Sequence, residues 1–382
     1  MKLKILHIIT MLELGGAQGN TVYTVRNLDR EKFSTVLAFG PGGILDDEVF
    51  KDSQIDYRIC RKLKREISFL EDLGAFFEIL SIIRKEKPDI VHTHSSKAGI
   101  LGRWAARFAG VKVIIHTYHG FGFHDRQNFF VKNFYILLEK ISSSFCAALI
   151  FVSRANMETA RLSEIGRPSR YRLIRSGVKL DKYRLAQKDK KILESLPLKK
   201  SRLHVVTLGN LKAQKNPEDF IKTAKLVISK NSEISFLYLG GGERLEEFRS
   251  LVKKCEISEN CFFTGWVKNP EKYLSACDIF ILTSLWEGLP RSLVEAMSCG
   301  LAPVCYRTDG VTDILKDGEN GFLVDQKDAV SMAARILRLA EDSNLLSSIS
   351  AAAKSCDLTE FDIDKMVRKQ EDLYLELYRE AK

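Results

Sequence analysis

No apolar run in the 382 residues approaches the ~18–20 residues of a membrane-crossing helix, which excludes a helical membrane span. The first ten residues hold a short apolar stretch, but it runs into Glu13 and a Gly pair with no small-residue cleavage site. We read it as the buried first strand of a cytosolic protein rather than a signal peptide. The eight cysteines (Cys60, Cys146, Cys255, Cys261, Cys277, Cys299, Cys305 and Cys356) form no C-x-x-C pair and no metal-ligand spacing. Reduced, mostly buried thiols are the reading. No G-x-x-x-x-G-K-[ST] occurs, so a P-loop is excluded. No G-x-G-x-x-G with an acid about twenty residues on occurs either, which argues against NAD. Internal repeats and low-complexity stretches are missing too. What is present is ordinary for a soluble enzyme: 45% hydrophobic and 28% charged residues. The length predicts two domains.

The net charge is +10, and it is unevenly placed. Residues 1–180 hold 28 Lys+Arg against 18 Asp+Glu, whereas residues 181–382 hold 31 of each. A basic half beside a neutral half predicts that one domain faces something anionic.

The first half alternates apolar strands with helical stretches. Strands are predicted over Lys4–Ile9, Thr35–Phe39, Ile90–His94, Lys112–Thr117, Ala148–Val152 and Arg172–Ile174. Helices are predicted over Gln18–Leu28, Leu70–Lys85, Ile100–Ala109, Phe129–Ser142 and Arg154–Ile165. Near-continuous apolar strands alternating with helices predict a parallel, doubly wound sheet. Residues 181–200 are Lys-rich and patternless and read as a linker. The alternation then restarts over 201–361. Strands fall at His204–Leu208, Ser235–Leu239, Cys261–Thr264, Asp278–Thr283 and Ala302–Cys305. Helices fall at Pro217–Lys230, Arg244–Lys254, Arg291–Cys299 and Ala329–Ala340, and a long amphipathic helix at Asp362–Arg379 closes the chain. Ligands of open α/β sheets bind beyond the carboxyl ends of the strands. Two such domains face to face would place a site in a cleft.

Three places can carry chemistry. Gly15-Gly16 follow the first strand and open a helix, where backbone can approach a ligand and the helix N-terminus attracts anions. A strand–helix turn that happens to use Gly is the equal alternative. Five of the seven histidines fall at His92, His94, His116, His119 and His124. Zinc is the alternative there, but the reading sets His92 and His94 on opposite faces of their strand, and no Cys or carboxylate completes a ligand set. His92 and His116 read as packed strand residues, and His119 as a ligand-facing hydrogen-bonding group. The third place is Ser284–Met297, which follows an apolar strand and opens a helix. The amides near Arg291, Ser292 and Leu293 would form an anion site flanked by Glu287 and Glu295, which suits a sugar phosphate. Alone, Glu295 reads equally well as a solvated helix residue.

Together these segments resemble glycosyltransferase family 4, the retaining glycosyltransferases with the GT-B fold. Glu287 and Glu295 stand in the family's E-x7-E arrangement. Gly15-Gly16-Ala17-Gln18 is similar to its Gly-rich first loop, and Lys87–Gly99 to its K-P-D-I-V-H-x-H stretch. His116–Gly120, Arg175–Val178 and Leu208–Asn216 resemble its T-x-H-G, N-G-V and G-R-L-x-x-x-K-G segments. Thr264–Val267 and Asp317–Val324 also fit. There are departures. Asn210 stands where many members have a diphosphate-gripping Arg, with Lys212 as the candidate replacement. Ser176 stands where Asn is common. Thr308–Asp313 is a weakened G-G-x-x-E loop. Asp362-Ile363-Asp364 matches a metal-binding D-x-D, but it opens a helix instead of following a strand. It reads as capping.

The resemblance implies two Rossmann-like domains facing a central cleft: an acceptor domain over 1–180 and a donor domain over 201–361. The helix over 362–382 is expected to pack back on the first. It implies retaining transfer of a hexose from a nucleotide-diphosphate sugar, UDP-linked, to a saccharide acceptor. Lys215 would offset the charge of the departing diphosphate, Glu287 would bind sugar hydroxyls, Glu295 the ribose, and His119 would reach the sugar. Further donor contacts are expected from Gly15, Gly16, Asn210, Trp266, Val267, Gly288, Leu289, Pro290, Arg291, Ser292 and Leu293. Acceptor contacts are expected from His94, Ser95, Lys97 and Arg65. No divalent metal or other cofactor is expected, and no nucleic acid partner. The cluster Arg58, Arg61, Lys62, Lys64 and Arg65, with Phe121, Phe123, Phe129, Phe130, Phe134 and Tyr135 among Arg126, Lys132 and Lys140, suits an anionic membrane surface. A solvated face over core aromatics is the alternative. The expected setting is peripheral on the inner face of the cytoplasmic membrane, with a lipid-linked acceptor in bacterial lipopolysaccharide, capsule or exopolysaccharide synthesis. A nucleotide-sugar epimerase of the same fold is the competing function.

Overall fold

The structure, a computed structural model, describes residues 2–123 and 127–382. His124 and Arg126 lie outside the described residues. The chain divides into two compact units: Met1–Gly177 with Ile363–Lys382, and Val178–Asp362.

Unit 1 is built on strands β1 (Leu3–Met11), β2 (Phe33–Gly40), β3 (Asp56–Ile59), β4 (Ile90–His94), β5 (Val113–Tyr118), β6 (Ala148–Phe151) and β7 (Tyr171–Leu173). They form one parallel sheet in the order β3-β2-β1-β4-β5-β6-β7. Helices α1 (Gly16–Asn27), α2 (Asp46–Lys51), α3 (Phe69–Glu86), α4 (Ser96–Phe108), α5 (Phe129–Ser143) and α6 (Arg154–Leu162) connect them. The strands are apolar on both sides because helices cover both faces. In β1, Ile5, Leu6, Ile8 and Ile9 are all fully buried. Each is worth about 1.5–3 kcal/mol against leaving it in water.

Unit 2 opens with two short helices, α7 (Leu180–Arg184) and α8 (Lys191–Glu194). Strands β8 (Leu203–Leu208), β9 (Ile234–Leu239), β10 (Cys261–Gly265), β11 (Ile279–Leu282), β12 (Ala302–Tyr306) and β13 (Phe322–Val324) form a second parallel sheet, ordered β10-β9-β8-β11-β12-β13. Helices α9 (Pro217–Ile228), α10 (Leu245–Lys254), α11 (Pro270–Ala276), α12 (Arg291–Cys299), α13 (Ala329–Glu341) and α14 (Ser343–Ser355) flank it. The last helix, α15 (Ile363–Glu380), belongs to unit 1. Its Met366, Val367, Leu373, Tyr374 and Leu377 pack with Ile5, Ile90, Val113 and Ile115 beneath the sheet.

Both sheets are doubly wound, as the strand–helix alternation predicts. Residues 181–200 are not a patternless linker. They carry most of α7 and all of α8, and Leu180, Tyr183 and Leu193 are buried. The apolar residues recur at helical spacing but are masked by interleaved Lys and Arg. Edge strand β3 is missing from the expectation because Asp-Tyr-Arg-Ile contains no apolar run and is nowhere fully buried. Among the described residues no helix is long and apolar enough to cross a membrane.

Candidate active site

In unit 2 the strand order reverses between β8 and β11, and the candidate donor residues gather on the loops that leave these two strands. Thr283, just past β11, donates through Oγ1 to the backbone oxygens of Lys215 and Asn216, at 2.9 and 3.0 Å. Gln214 Nε2 donates to Trp286 O at 2.8 Å, and Leu285 N to Gln214 O at 2.8 Å. The loop after β8 is thus sewn to the loop after β11. Lys215 Nζ lies 2.5 Å from Glu287 Oε1, with side-chain exposures of only 17% and 6%. Gly240, at φ +151°, sits where a Cβ would fall 1.7 Å from Gly209 O, so only glycine lets the β9 loop approach the β8 loop this closely.

Glu295 stands one turn into α12 and is buried, which removes the solvated-residue alternative. Burial pushes its carboxyl above the usual carboxylate range. The Arg291 guanidinium 3.8 Å away, a hydrogen bond from Tyr183 and the nearby Lys182 and Lys215 pull the other way. Tyr183, on α7, has no motif to announce it. Its signal in the sequence is a lone aromatic in a basic stretch.

The helix start is less open than the spacing implies. Arg291 N donates to Leu289 O and Leu293 N to Pro290 O, both at 3.0 Å, so two of the three amides expected to hold an anion already have acceptors. The Gly288–Pro290 turn itself is held by the 308–313 loop, where a Cβ on Gly310 would meet Gly288 O at 2.5 Å. Other polar atoms do await partners. Asn210 Oδ1, Ser284 Oγ and Thr308 Oγ1 lie beyond β8, β11 and β12, each buried without a hydrogen bond. Buried polar atoms are almost always bonded, so three such atoms on adjacent strand ends are unusual. Lys212 is half-buried in the same loop as Asn210. Trp266 and Val267 lie two strands away, beyond β10, lining a recess of about 480 Å³. Gly241 links them to the site: its oxygen accepts from Leu211 N at 3.1 Å, and a Cβ on it would meet the Trp266 ring at 2.9 Å.

In unit 1 the order reverses between β1 and β4. Gly15 and Gly16 begin α1 beyond β1. Ser95 follows β4 at φ +60°, ψ +160°, a conformation nearly exclusive to glycine. Its Oγ meets Thr10 Oγ1 at 2.7 Å. Lys97 pairs with Asp72 at 2.6 Å and Arg65 with Glu13 at 3.1 Å, so both acceptor candidates already hold carboxylates.

His92 and His94 share a face, contrary to the expectation, because side chains on a strand repeat every two residues. Their ring centroids are 4.2 Å apart. His7 on β1 joins them, and one nitrogen from each ring lies within 4.8 Å of the others. The sequence reading missed His7 because it sits 85 residues away from His92 in an apolar strand. His92 bonds Tyr374 Oη through Nδ1 at 2.6 Å and Thr117 through Nε2 at 2.7 Å. His116 Nδ1 bonds Thr93 at 2.9 Å. Both are packed strand residues. His94 is buried between His7 and His119, with its two nitrogens 3.1 and 3.2 Å from theirs. It has no nitrogen left for an acceptor, so its assignment as an acceptor contact is corrected.

The expected cationic cluster is also partly neutralised. Arg58 pairs with Glu86 at 2.7 Å, Arg65 with Glu13, and Lys64 stands 3.9 Å from Glu71. The exposed feature beside it is apolar. Phe69 and Leu70 on α3 are 81% and 76% exposed, and Phe129, Phe130 and Phe134 on α5 are 72%, 79% and 58% exposed.

Comparison with known proteins agrees with this geometry. Residues 14–182 match the family described as Glycosyltransferase Family 4, and residues 188–355 match Glycosyl transferases group 1. The chain is 32% identical over 380 residues to the UDP-Gal:alpha-D-GlcNAc-diphosphoundecaprenol alpha-1,3-galactosyltransferase of Escherichia coli, covering 98% of this chain and 97% of that protein. It is 22% identical over 330 residues to the capsular polysaccharide biosynthesis glycosyltransferase CapM of Staphylococcus aureus, covering 84% and 85%. Among solved structures, Anabaena HepE in complex with UDP and glucose superposes with a TM-score of 0.84 at 17% identity, covering 98% and 100%. Two doubly wound units of this kind define the GT-B fold of glycosyltransferases. The chain belongs to glycosyltransferase family 4, and it is a glycosyltransferase of bacterial polysaccharide synthesis.

Proposed function

We propose that the protein transfers a hexose, with retention of configuration, from a UDP-sugar to a saccharide carried on a lipid diphosphate. The observation that carries the reading is the buried Lys215–Glu287 pair beside Glu295, where the strand order of unit 2 reverses. Lys215 offsets the charge that grows on the departing diphosphate, in a place shielded from water where that charge is worth most. Glu287 takes sugar hydroxyls and Glu295 takes the ribose. Asn210, Ser284 and Thr308 supply the remaining polar contacts. The Trp266–Val267 turn completes the donor contacts. No divalent metal is required: the only D-x-D considered, at Asp362 and Asp364, opens α15, and Asp364 accepts a hydrogen bond from Tyr23 at 2.7 Å.

The lipid-linked acceptor is supported by the E. coli relative, whose name specifies a diphosphoundecaprenol carrier. The exposed aromatics of α3 and α5 fit the same reading. They would enter the interface of an anionic membrane on the inner face of the cytoplasmic membrane, with Lys62, Lys64 and Lys132 at the headgroups. The test is to screen nucleotide sugars for thermal stabilisation, UDP-galactose first, and then supply lipid-diphosphate saccharides and read the product anomer by NMR. A ligand at 100-fold its Kd stabilises by about 2.7 kcal/mol. Stabilisation by UDP-sugars and an α-linked product from an α-linked donor are expected. An inverted product overturns retention. An epimerised sugar formed without acceptor overturns the transferase reading.

A further inference from the structure

Within unit 2, helix α7 is fastened to α12 at two points. Glu295 and Cys299 fall one turn apart on α12 and share a face. Tyr183, on α7, is buried and donates its phenol hydrogen to the Glu295 carboxylate. Cys299 Sγ donates to the backbone oxygen of the same Tyr183 at 3.5 Å. The neighbouring Lys182 pairs with Glu271 of α11 at 2.9 Å, and Leu180 is buried at the start of the helix. The phenol therefore meets Glu295 from a helix held against both α11 and α12.

Glu295 needs such a partner. A carboxylate that accepts from two ribose hydroxyls has to be ionised, because the protonated acid turns one oxygen into a donor. Burial works against ionisation. The groups facing Glu295 are Arg291 and the Cys299 thiol from its own helix, Tyr183 and Lys182 from α7, and Lys215 from the loop after β8. Arg291 stands 3.8 Å away, too far for a hydrogen bond, so it contributes charge without fixing the direction of the carboxylate. Tyr183 contributes direction. Its bond occupies one lone pair and leaves the others for a ligand. Burial, and after it the charge of Glu295, push the phenol well above its ordinary value, so Tyr183 keeps the proton it donates.

We propose that Tyr183 is a positioning residue whose hydroxyl holds the Glu295 carboxylate in place as the acceptor of the donor's ribose hydroxyls. The inference rests on the reading above in which Glu295 takes the ribose.

The test compares the full chain with Tyr183→Phe, which deletes one oxygen and keeps the ring. Calorimetry measures UDP binding across pH. A hydrogen bond to a charged group is strong enough that Tyr183→Phe is expected to weaken UDP about tenfold at neutral pH. Without the hydroxyl the ionised carboxyl is less favoured, so the acid limb of the binding profile is expected to move to higher pH. In transfer assays the donor KM is expected to rise by a similar factor while kcat stays within about twofold. In a Glu295→Gln background the same change is expected to alter UDP affinity less than about twofold, because no carboxylate is left to hold. Carbon-13 NMR of labelled glutamate, with Glu295→Gln assigning the resonance, is expected to show Glu295 ionised at neutral pH in wild type and titrating at higher pH in Tyr183→Phe. Should Tyr183→Phe not fold, Tyr183→Met, which also lacks a donor, carries the same comparison. Equal weakening in both backgrounds, an unmoved pH profile, or a Glu295 carboxyl that is protonated at neutral pH in wild type overturns the proposal. Wild-type UDP affinity in Glu295→Gln would instead sink the ribose role of Glu295, while the carboxyl titration still decides whether Tyr183 holds that group.

Discussion

Lys215 and Glu287 stand 72 residues apart in sequence, yet Lys215 Nζ and Glu287 Oε1 meet at 2.5 Å. On the proposed reading, the cation that meets the diphosphate is held by the carboxylate that meets the sugar. Each preorganises the other, and a bound donor has to share or displace the pair. Removing Lys215 therefore does two things: it takes away the cation and leaves Glu287 buried without its partner. Breaking a buried pair costs about 3–5 kcal/mol. Lys215→Ala is expected to lower the melting temperature and to weaken UDP binding by more than tenfold, and Glu295→Ala to weaken it by a similar factor. Isothermal calorimetry decides: wild-type affinity in both variants sinks the nucleotide assignment.

Glu295 predicts a trade between stability and binding. Its carboxyl titrates above the ordinary value of 4.5 because it is buried. The native state therefore holds the proton more tightly than the unfolded chain. Stability contributed by this group falls as pH rises through the native value, and the penalty vanishes below 4.5. Glu295→Gln is expected to melt higher than wild type at neutral pH, to lose that advantage in acid, and to bind UDP less tightly. A lower melting temperature at neutral pH would show that Arg291 and Tyr183 outweigh the burial.

Transfer is expected to persist in excess chelator, since on the proposed reading Lys215 offsets the charge of the leaving diphosphate. Assay the chelated enzyme with and without added magnesium or manganese. Complete loss that either ion restores would refute metal independence and return attention to His7, His92 and His94.

Membrane docking is expected to be only partly sensitive to salt. Exposed charges are screened over ~8–10 Å, but buried apolar area is not. Since Arg58, Lys64 and Arg65 stand near acids, the aromatics should dominate. Co-sediment wild type, an Arg61/Lys62/Lys64/Arg65→Ser variant and a Phe69/Phe130/Phe134→Ser variant with anionic vesicles at low and high salt. The aromatic variant is expected to lose most binding and the basic variant a smaller, salt-sensitive part. Equal sedimentation of all three would make both patches solvated surface.

The sheets were legible because buried parallel strands are written as apolar runs: Ile90–His94 matches the structure at both ends, and Arg291–Cys299 does so among the helices. Edge strand β3 was not, since an edge needs no apolar run. The Glu287–Glu295 segment was legible from its spacing, whereas Tyr183 and His7 were not. Tyr183 meets Glu295, and His7 meets His94, through packing between distant segments, and no local pattern records that. The misreading at His92 and His94 came from the strand geometry itself: taken correctly, alternation alone would have put both rings on one face. The loss of free amides at Arg291 and Leu293 was invisible because it depends on how the Gly288–Pro290 turn closes, which the 308–313 loop sets from outside the motif.

Helix α15 has a consequence for how the protein is made. Residues 178–362 form a contiguous unit, which can close as soon as it has emerged from the ribosome. The earlier-made unit cannot. Ile5, Ile90, Val113 and Ile115 wait for Met366, Val367, Leu373 and Tyr374, and His92 waits for the Tyr374 hydroxyl. At 5–20 residues per second the wait is roughly 10–40 s, long on the scale of folding. Throughout it an apolar sheet face stands open to chaperones and to other nascent chains. A stop codon after residue 362 should make the truncated chain aggregate through its amino-terminal unit, whereas residues 178–362 expressed alone should fold and stay soluble.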